Sequence, residues 1–397
     1  MKKCIVISDS FKGTLSSLEI CRIARESIPR FFPDCQVITA PVADGGEGLV
    51  ECFEAAIGAQ PVTVSVTGPL GKPVRATYAR KDKTAIVEMA AAAGLPMMGR
   101  NGDPARTTTY GVGELMLHAV RAGAKTLYIG LGGSATNDGG AGMLQALGAH
   151  LVDDRGRDIA PGLTGLEQVT GVDLVPAVRA LDGVRIVVLS DVESPLVGRR
   201  GALAVFGGQK GLPTGDAQAL SRYDSWMVGY GRLLDATIAE ARAQGLPRVS
   251  EGARTFGSVL GVPGAGAAGG LGAALLALGA ELRSGVETVL DLVGFDERVR
   301  DADLVITGEG NMDEQSAAGK APVGVARRAK RFGKPVVAVV GGRADNLDAV
   351  YEQGVDLVLP ICRKPMPLDQ ALDPREATTN LICAGESAAQ AYDLARI

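Results

Sequence analysis

The chain has 397 residues, with 41 Lys plus Arg against 45 Asp plus Glu, a net charge of −4 and 46% hydrophobic residues. That length provides for two or three domains with substantial cores, while the lack of a basic block and a 4% aromatic content argue against a nucleic-acid partner. Six cysteines (Cys4, Cys21, Cys35, Cys52, Cys362, Cys383) form no CxxC pair and no metal-ligand spacing, which points to reduced thiols in a cytoplasmic protein.

Lys2 and Lys3 precede an apolar run that stops at Asp9, too short for a signal peptide. Within it Cys4–Ile7 reads as a strand, and the capping box Ser16-x-x-Glu19 opens a helix to about Arg30. Val37–Ala40 is a second strand and Gly46–Ala56 a second helix. Val62–Val66, Val74–Ala79 and Ala85–Met89 are closely spaced strands, the first two joined by a Gly/Pro turn, so they pair antiparallel. Leu127–Ile129 is apolar and runs into a glycine-rich loop. Val184–Leu189 is another strand, followed by a helix from about Thr214 that stops before Gly245 and Pro247. Thr255–Ala280 carries no charge and could span a bilayer, yet its glycines and Pro263 favour a loop and a short buried helix over Leu271–Leu282. Leu304–Thr307, Val336–Val340 and Leu357–Pro360 then alternate with helical patterns near Pro322–Arg331 and Asn346–Gln353, and a last helix covers Glu376–Leu394.

The alternation of apolar strands with helices at both ends predicts an α/β fold with a parallel, doubly wound five-stranded domain from residues 1–60 plus 290–397. Residues 61–289 are then an inserted, mixed α+β domain, and the active site is expected in the cleft between the two.

The most informative segment is Gly130–Met143, where glycines between a strand and a helix let backbone amides approach an anion. Ser134, Thr136 and Asn137 add polar contacts, and Asp138 could hold a divalent metal; the alternative is a tight turn that needs glycine only for its angles. Gly-Gly-x-Gly recurs at Gly45–Gly48, Gly139–Gly142 and Gly269–Gly272, suggesting a phosphorylated ligand such as a nucleotide. Asp9 and Lys12 follow the first strand, Asp44 the second, and Glu309 and Lys320 flank another strand's loop. Asp191 ends the strand before it and suits a metal or general-base role, or an Asx turn before Pro195. His118 and His150 are the only histidines, so nucleophilic catalysis through histidine has little material. Gly264–Gly269 fits G-x-G-x-x-G, but Pro263 rather than a strand precedes it, so the dinucleotide context fails.

Taken in order, Asp9–Gly13, Ala43–Gly48, Gly130–Met143, Asp191–Leu196, Gly264–Leu271 and Gly308–Gly310 with Asp313, Gln315 and Lys320 resemble the bacterial type I glycerate kinases over essentially the whole chain. The resemblance implies a split flavodoxin-like domain with an inserted second domain. It also implies ATP- and Mg²⁺-dependent phosphorylation of D-glycerate to 2-phosphoglycerate. Asp191, Lys12 and Asp9 then take catalytic roles, with Asp191 and Glu309 as metal ligands. Gly132, Gly133, Ser134, Asn137, Asp138, Gly139, Gly266 and Gly269 bind the nucleotide; Asp44, Gly45, Gly46, Gln315 and Lys320 bind the substrate. Asn311 and Ser194 stand where a basic residue and an asparagine are common in the family. The partners expected are ATP and D-glycerate, with no nucleic acid or membrane and with monomer or homodimer left open. Two other readings are a nicotinamide-dependent hydroxy-acid oxidoreductase using Gly264–Gly269 and a catalytically silent sugar-acid binding protein.

Overall fold

The computed structural model describes residues 1–43, 45–46, 48–99, 102–243 and 257–394. Its two main sheets are made of β1 (Lys3–Ser8), β2 (Gln36–Pro41), β3 (Gln60–Thr67), β4 (Pro73–Lys81), β5 (Thr84–Glu88), β6 (Thr126–Gly130), β7 (Arg185–Leu189), β8 (Glu281–Arg283), β9 (Leu304–Thr307), β10 (Val336–Val340) and β11 (Leu357–Pro360). The chain divides into two compact units: Met1–Asp44, Glu51–Gly58 and Ser284–Ile397 form the first, Gly45–Val50 and Ala59–Arg283 the second.

The first unit holds a five-stranded sheet in the order β11-β10-β9-β1-β2, every neighbouring pair parallel. Counted along the chain, that is 2-1-3-4-5, the flavodoxin-like order. Strands buried on both faces need apolar residues throughout, which is why Cys4–Ile7 and Val336–Val340 are unbroken apolar runs. The helix Ser17–Ser27 starts at the expected box: Ser16 Oγ accepts from Glu19 N (3.2 Å) and Glu19 Oε2 accepts from Ser16 N (2.8 Å). It stops earlier than Arg30, because Pro29 lacks an N–H and the chain tightens into a 3₁₀ turn over Ile28–Arg30. Ile20 and Ile23 pack with Val6, Ile306 and Val339 in this unit's core.

The second unit holds a six-stranded mixed sheet, β8-β7-β6-β5-β4-β3. β3, β4 and β5 pair antiparallel, whereas β5 to β8 are parallel. Tyr78, Leu127, Ile129, Leu144, Val188 and Tyr230 lie in its core. The helix expected over Leu271–Leu282 spans Ala267–Ala277 instead; Gly279 turns the chain at φ +82° and Glu281–Arg283 becomes an edge strand beside β7. The division also differs from 1–60 plus 290–397. Residues 45–50 go with the second unit, where Gly45 O accepts from Gly132 N (3.1 Å) and Glu88 Oε1 from Val50 N (2.7 Å). Residues 284–289 go with the first, where Glu287 pairs with Arg328 at 3.1 Å. Among the described residues no helix is long and apolar enough to cross a membrane.

Candidate functional site

In each unit the expected residues gather at the carboxyl ends of parallel strands, where loops carry side chains on a fixed frame. In the second unit three loops meet there. Gly130–Gly140 follows β6, Ser190–Val197 follows β7, and the third is Gly264–Gly270. Gly264 N and Gly266 N donate to Ser194 O at 3.2 and 3.0 Å, and Gly139 N donates to Gly269 O at 3.0 Å. Gly269 has a left-handed φ of +66°, and a side chain there would collide with the Thr136 carbonyl. Gly266 is likewise closed in by Pro195 O, and Gly139 by the Tyr230 ring. All three glycines are buried, so close chain packing, not an open face toward a phosphate, is what demands them. Gly45 and Gly46 press against Leu189 O and the Gly132 backbone in the same way. Gly133 differs: it has φ +72° and a single side-chain neighbour, Ala90 Cβ, at 3.3 Å from its missing Cβ.

Asp138, expected on the nucleotide side and as a possible metal holder, sits inside the loop as an anchor. Its carboxylate is fully buried and accepts from Thr109 N (2.8 Å), Thr109 Oγ1 (2.9 Å), Gly140 N (3.0 Å) and Gly142 N (3.2 Å). Burial pushes its pKa up, and those four hydrogen bonds oppose the rise. Asn137 is also fully buried and donates to Pro104 O at 3.2 Å, while Ser134, 9% exposed, bridges to Gly94. Asp191 is partly buried immediately past β7, whose line continues as Ser190 N donates to Arg283 O at 3.0 Å.

In the first unit the loops after β1, β9 and β10 lie side by side. Asp9 N donates to Gly308 O (2.9 Å), Gly341 N to Glu309 O (3.1 Å) and Gly342 N to Gly310 O (3.0 Å). Asp9 is 6% exposed, and its Oδ1 accepts from Ser10 N at 2.7 Å; Lys12 is exposed. Lys320 Nζ lies 3.7 Å from both Glu309 Oε2 and Asp313 Oδ1. Glu309, expected as a metal ligand, is 6% exposed and pairs with Lys320 in this loop. Asp313 caps the turn Glu314–Ala318, accepting from Gln315 N at 2.9 Å, and leaves the Gln315 side chain exposed. Asp44 lies outside the described residues. Among the described residues no group of three or more His, Cys, Asp or Glu side chains could hold a metal.

Sequence reading missed the side chains that hold the glycine loop from inside. Lys210, 4% exposed, donates from Nζ to Thr136 O at 2.7 Å, and Tyr230 donates its hydroxyl to Gly139 O at 3.1 Å. Thr107, Thr108 and Thr109 are buried as well. Available signals were the run Thr107-Thr108-Thr109 and a lysine flanked by glycines, Gly207-Gly208-Gln209-Lys210-Gly211. The G-x-G-x-x-G stretch follows no strand among the described residues and is packed shut, so a dinucleotide reading gains no support.

Residues 4–393 match the model of the glycerate kinase family. The chain is 42% identical to glycerate kinase from Bacillus cereus over 375 residues, 93% of each chain. It is 40% identical to glycerate 2-kinase from Escherichia coli over 391 residues, 98% of this chain and 97% of the relative. A crystal structure assigned as glycerate kinase 2 from Salmonella typhimurium LT2 superposes with a TM-score of 0.79 at 40% identity, covering 99% of both chains.

Proposed function

The chain belongs to the glycerate kinase family, and we propose from that membership that it phosphorylates D-glycerate on its 2-hydroxyl with MgATP. What carries the reading is one observation. Gly132–Ser134 and Asp191, nearly 60 positions apart in sequence, occupy adjacent strand ends, because β6 and β7 are paired with Gly130 opposite Leu189.

Phosphoryl transfer requires a positioned hydroxyl, a proton acceptor and compensation of charge on the moving group. In our reading the substrate's 2-oxygen bonds to the γ-phosphorus as the bond to the β,γ-bridging oxygen breaks. ADP leaves with that electron pair, and the hydroxyl proton passes to the Asp191 carboxylate. Gly133 and Ser134 offer backbone amides to the phosphates, with Gly133 the loop glycine whose missing Cβ meets no backbone, only the Ala90 methyl. Lys12 and Lys320 carry positive charge to the carboxylate or phosphoryl group, with Asp9 fixing the turn that presents Lys12. Gly45, Gly46, Gln315 and Asp44 belong to the substrate side.

The donor set fits Mg²⁺ held chiefly by phosphate oxygens, since such an ion needs only one or two protein carboxylates. Asp191 is the residue that would hold it, and the ion when bound supplies positive charge at the transferring phosphoryl group. The proton-acceptor and metal-holding roles of Asp191 are alternatives. ADP release with D-glycerate, L-glycerate and glycerol tests the reading. Mg²⁺-dependent turnover with D-glycerate and little with the other two is expected; equal rates with glycerol would overturn a site built for a carboxylate.

A further inference from the structure

We propose that Lys210 is a positioning residue for phosphoryl transfer: its Nζ holds the Thr136 carbonyl and so fixes the amides of the Gly132–Asn137 loop that receive the nucleotide. The inference rests on reading that loop as the nucleotide side, and it assigns a role to a side chain the mechanism leaves unused.

A lysine inside a core is rare because its ammonium loses its hydration, and an apolar residue of similar length fills the same space with less loss. Lys210 is 4% exposed, and among the described residues no carboxylate forms an ion pair with it within 4.0 Å. Its ammonium donates to a carbonyl, Thr136 O, at 2.7 Å. The lysine itself sits on a tightly tied turn. Lys210 N donates to Gly207 O (3.1 Å), Leu212 N to the same carbonyl (2.9 Å), and Gly211 closes the turn at φ +94°. A rigid stem thus aims a buried donor at one point of the loop.

The residues on either side of that point have holds of their own: Leu95 N donates to Gly133 O (2.9 Å), Ala135 N to Ala93 O (2.9 Å) and Thr107 Oγ1 to Ala135 O (3.1 Å). Asn137 is held through Pro104 O, Asp138 through Thr109, and Gly139 O by the Tyr230 hydroxyl. Gly269 lies against the other side of the Thr136 carbonyl, where no side chain fits. Deleting the Lys210 donor would leave that buried carbonyl unsatisfied and let the Thr136–Asn137 peptide turn, disturbing the amides beside it, while the loops of the first unit stay as they are. Asp138 and Tyr230 are the other titratable groups packed against this loop. Asp138 attracts the ammonium without touching it, and burial pulls the amine's pKa down to about 7.

Lys210→Met, which keeps length and removes the donor, should raise KM for ATP by about tenfold, on the scale of one buried hydrogen bond. KM for D-glycerate should stay within about twofold of wild type. An unchanged KM for ATP, or an equal rise for both substrates, would overturn the proposal. Gly133→Ala measured alongside separates the two failures. If it weakens ATP and Lys210→Met does not, the lysine has no positioning role; if neither affects ATP, the nucleotide reading of the loop fails. Should Lys210→Met not fold, the wild-type enzyme still decides. The Thr136 carbonyl carbon and Asn137 amide resonances should move on adding MgADP and stay put with D-glycerate; the reverse would refute the assignment.

Discussion

At the residue scale, identical residue types separate into different roles by environment. Asp138 and Asp191 are both aspartates in loops that follow parallel strands, yet Asp138 is saturated by four internal hydrogen bonds and Asp191 is partly open. Asp191→Asn should lower kcat at least ~10²-fold, the scale of a lost general base or metal ligand, with little change in Tm. Normal turnover with a large drop in Tm would make Asp191 a turn residue only. Lys210 gives a pH prediction. Its pKa falls from 10.5 unfolded to about 7 folded, because burial disfavours the ammonium despite the pull of Asp138. Below pH 7 both states hold the proton and the full destabilisation is present. Between about 7 and 10.5 only the unfolded state holds it, so this group's contribution to stability improves as pH rises. Wild type should therefore gain on Lys210→Met in urea midpoint between pH 6.5 and 9, and a constant gap would refute a neutralised amine. The comparison cancels the buried thiols, such as Cys21, which burial pushes up to about 12 and which favour unfolding above pH 9.

At the element scale, the turn into the helix Ala267–Ala277 carries opposing demands on adjacent residues. Ala268, Gly269 and Gly270 are all left-handed, at φ +53°, +66° and +94°. An L-residue there is strained by roughly 1–2 kcal/mol, offset in part by the greater freedom glycine has when unfolded. Ala268→Gly should consequently stabilise by about 1 kcal/mol or less. Gly269→Ala should destabilise by well over that, because it adds a collision with Thr136 O to the strain. Thermal melts of the two variants shifting in the same direction would contradict this account. The turn was invisible in the sequence, where Gly269–Gly272 reads only as a repeat of the Gly-Gly-x-Gly motif before an apolar helix. By contrast Ser16-x-x-Glu19 was legible, since both halves of a capping box are local.

For the whole molecule, strand identity was legible and spatial assignment was not. Unbroken apolar runs such as Val336–Val340 mark buried parallel strands, and alternation in Val62–Val66 marks a half-exposed antiparallel one. The edge strand Glu281–Arg283 is too short and polar to carry such a pattern, so its first two residues read as the end of the helix expected over Leu271–Leu282. Order in the sheets depends on pairing between distant segments, and only the resemblance supplied the flavodoxin-like order. For the site, the glycine motifs located the loops, but could not tell glycines that let chains cross, such as Gly269, from one that faces only a side-chain methyl, Gly133. Nor could they reveal Lys210, whose importance depends on burial. The identity of the product tests the central claim most directly. With D-glycerate and MgATP, the account predicts a product that enolase converts at once to phosphoenolpyruvate, without a mutase. A product that enolase accepts only after mutase is added would place the phosphoryl group on the 3-hydroxyl and contradict it.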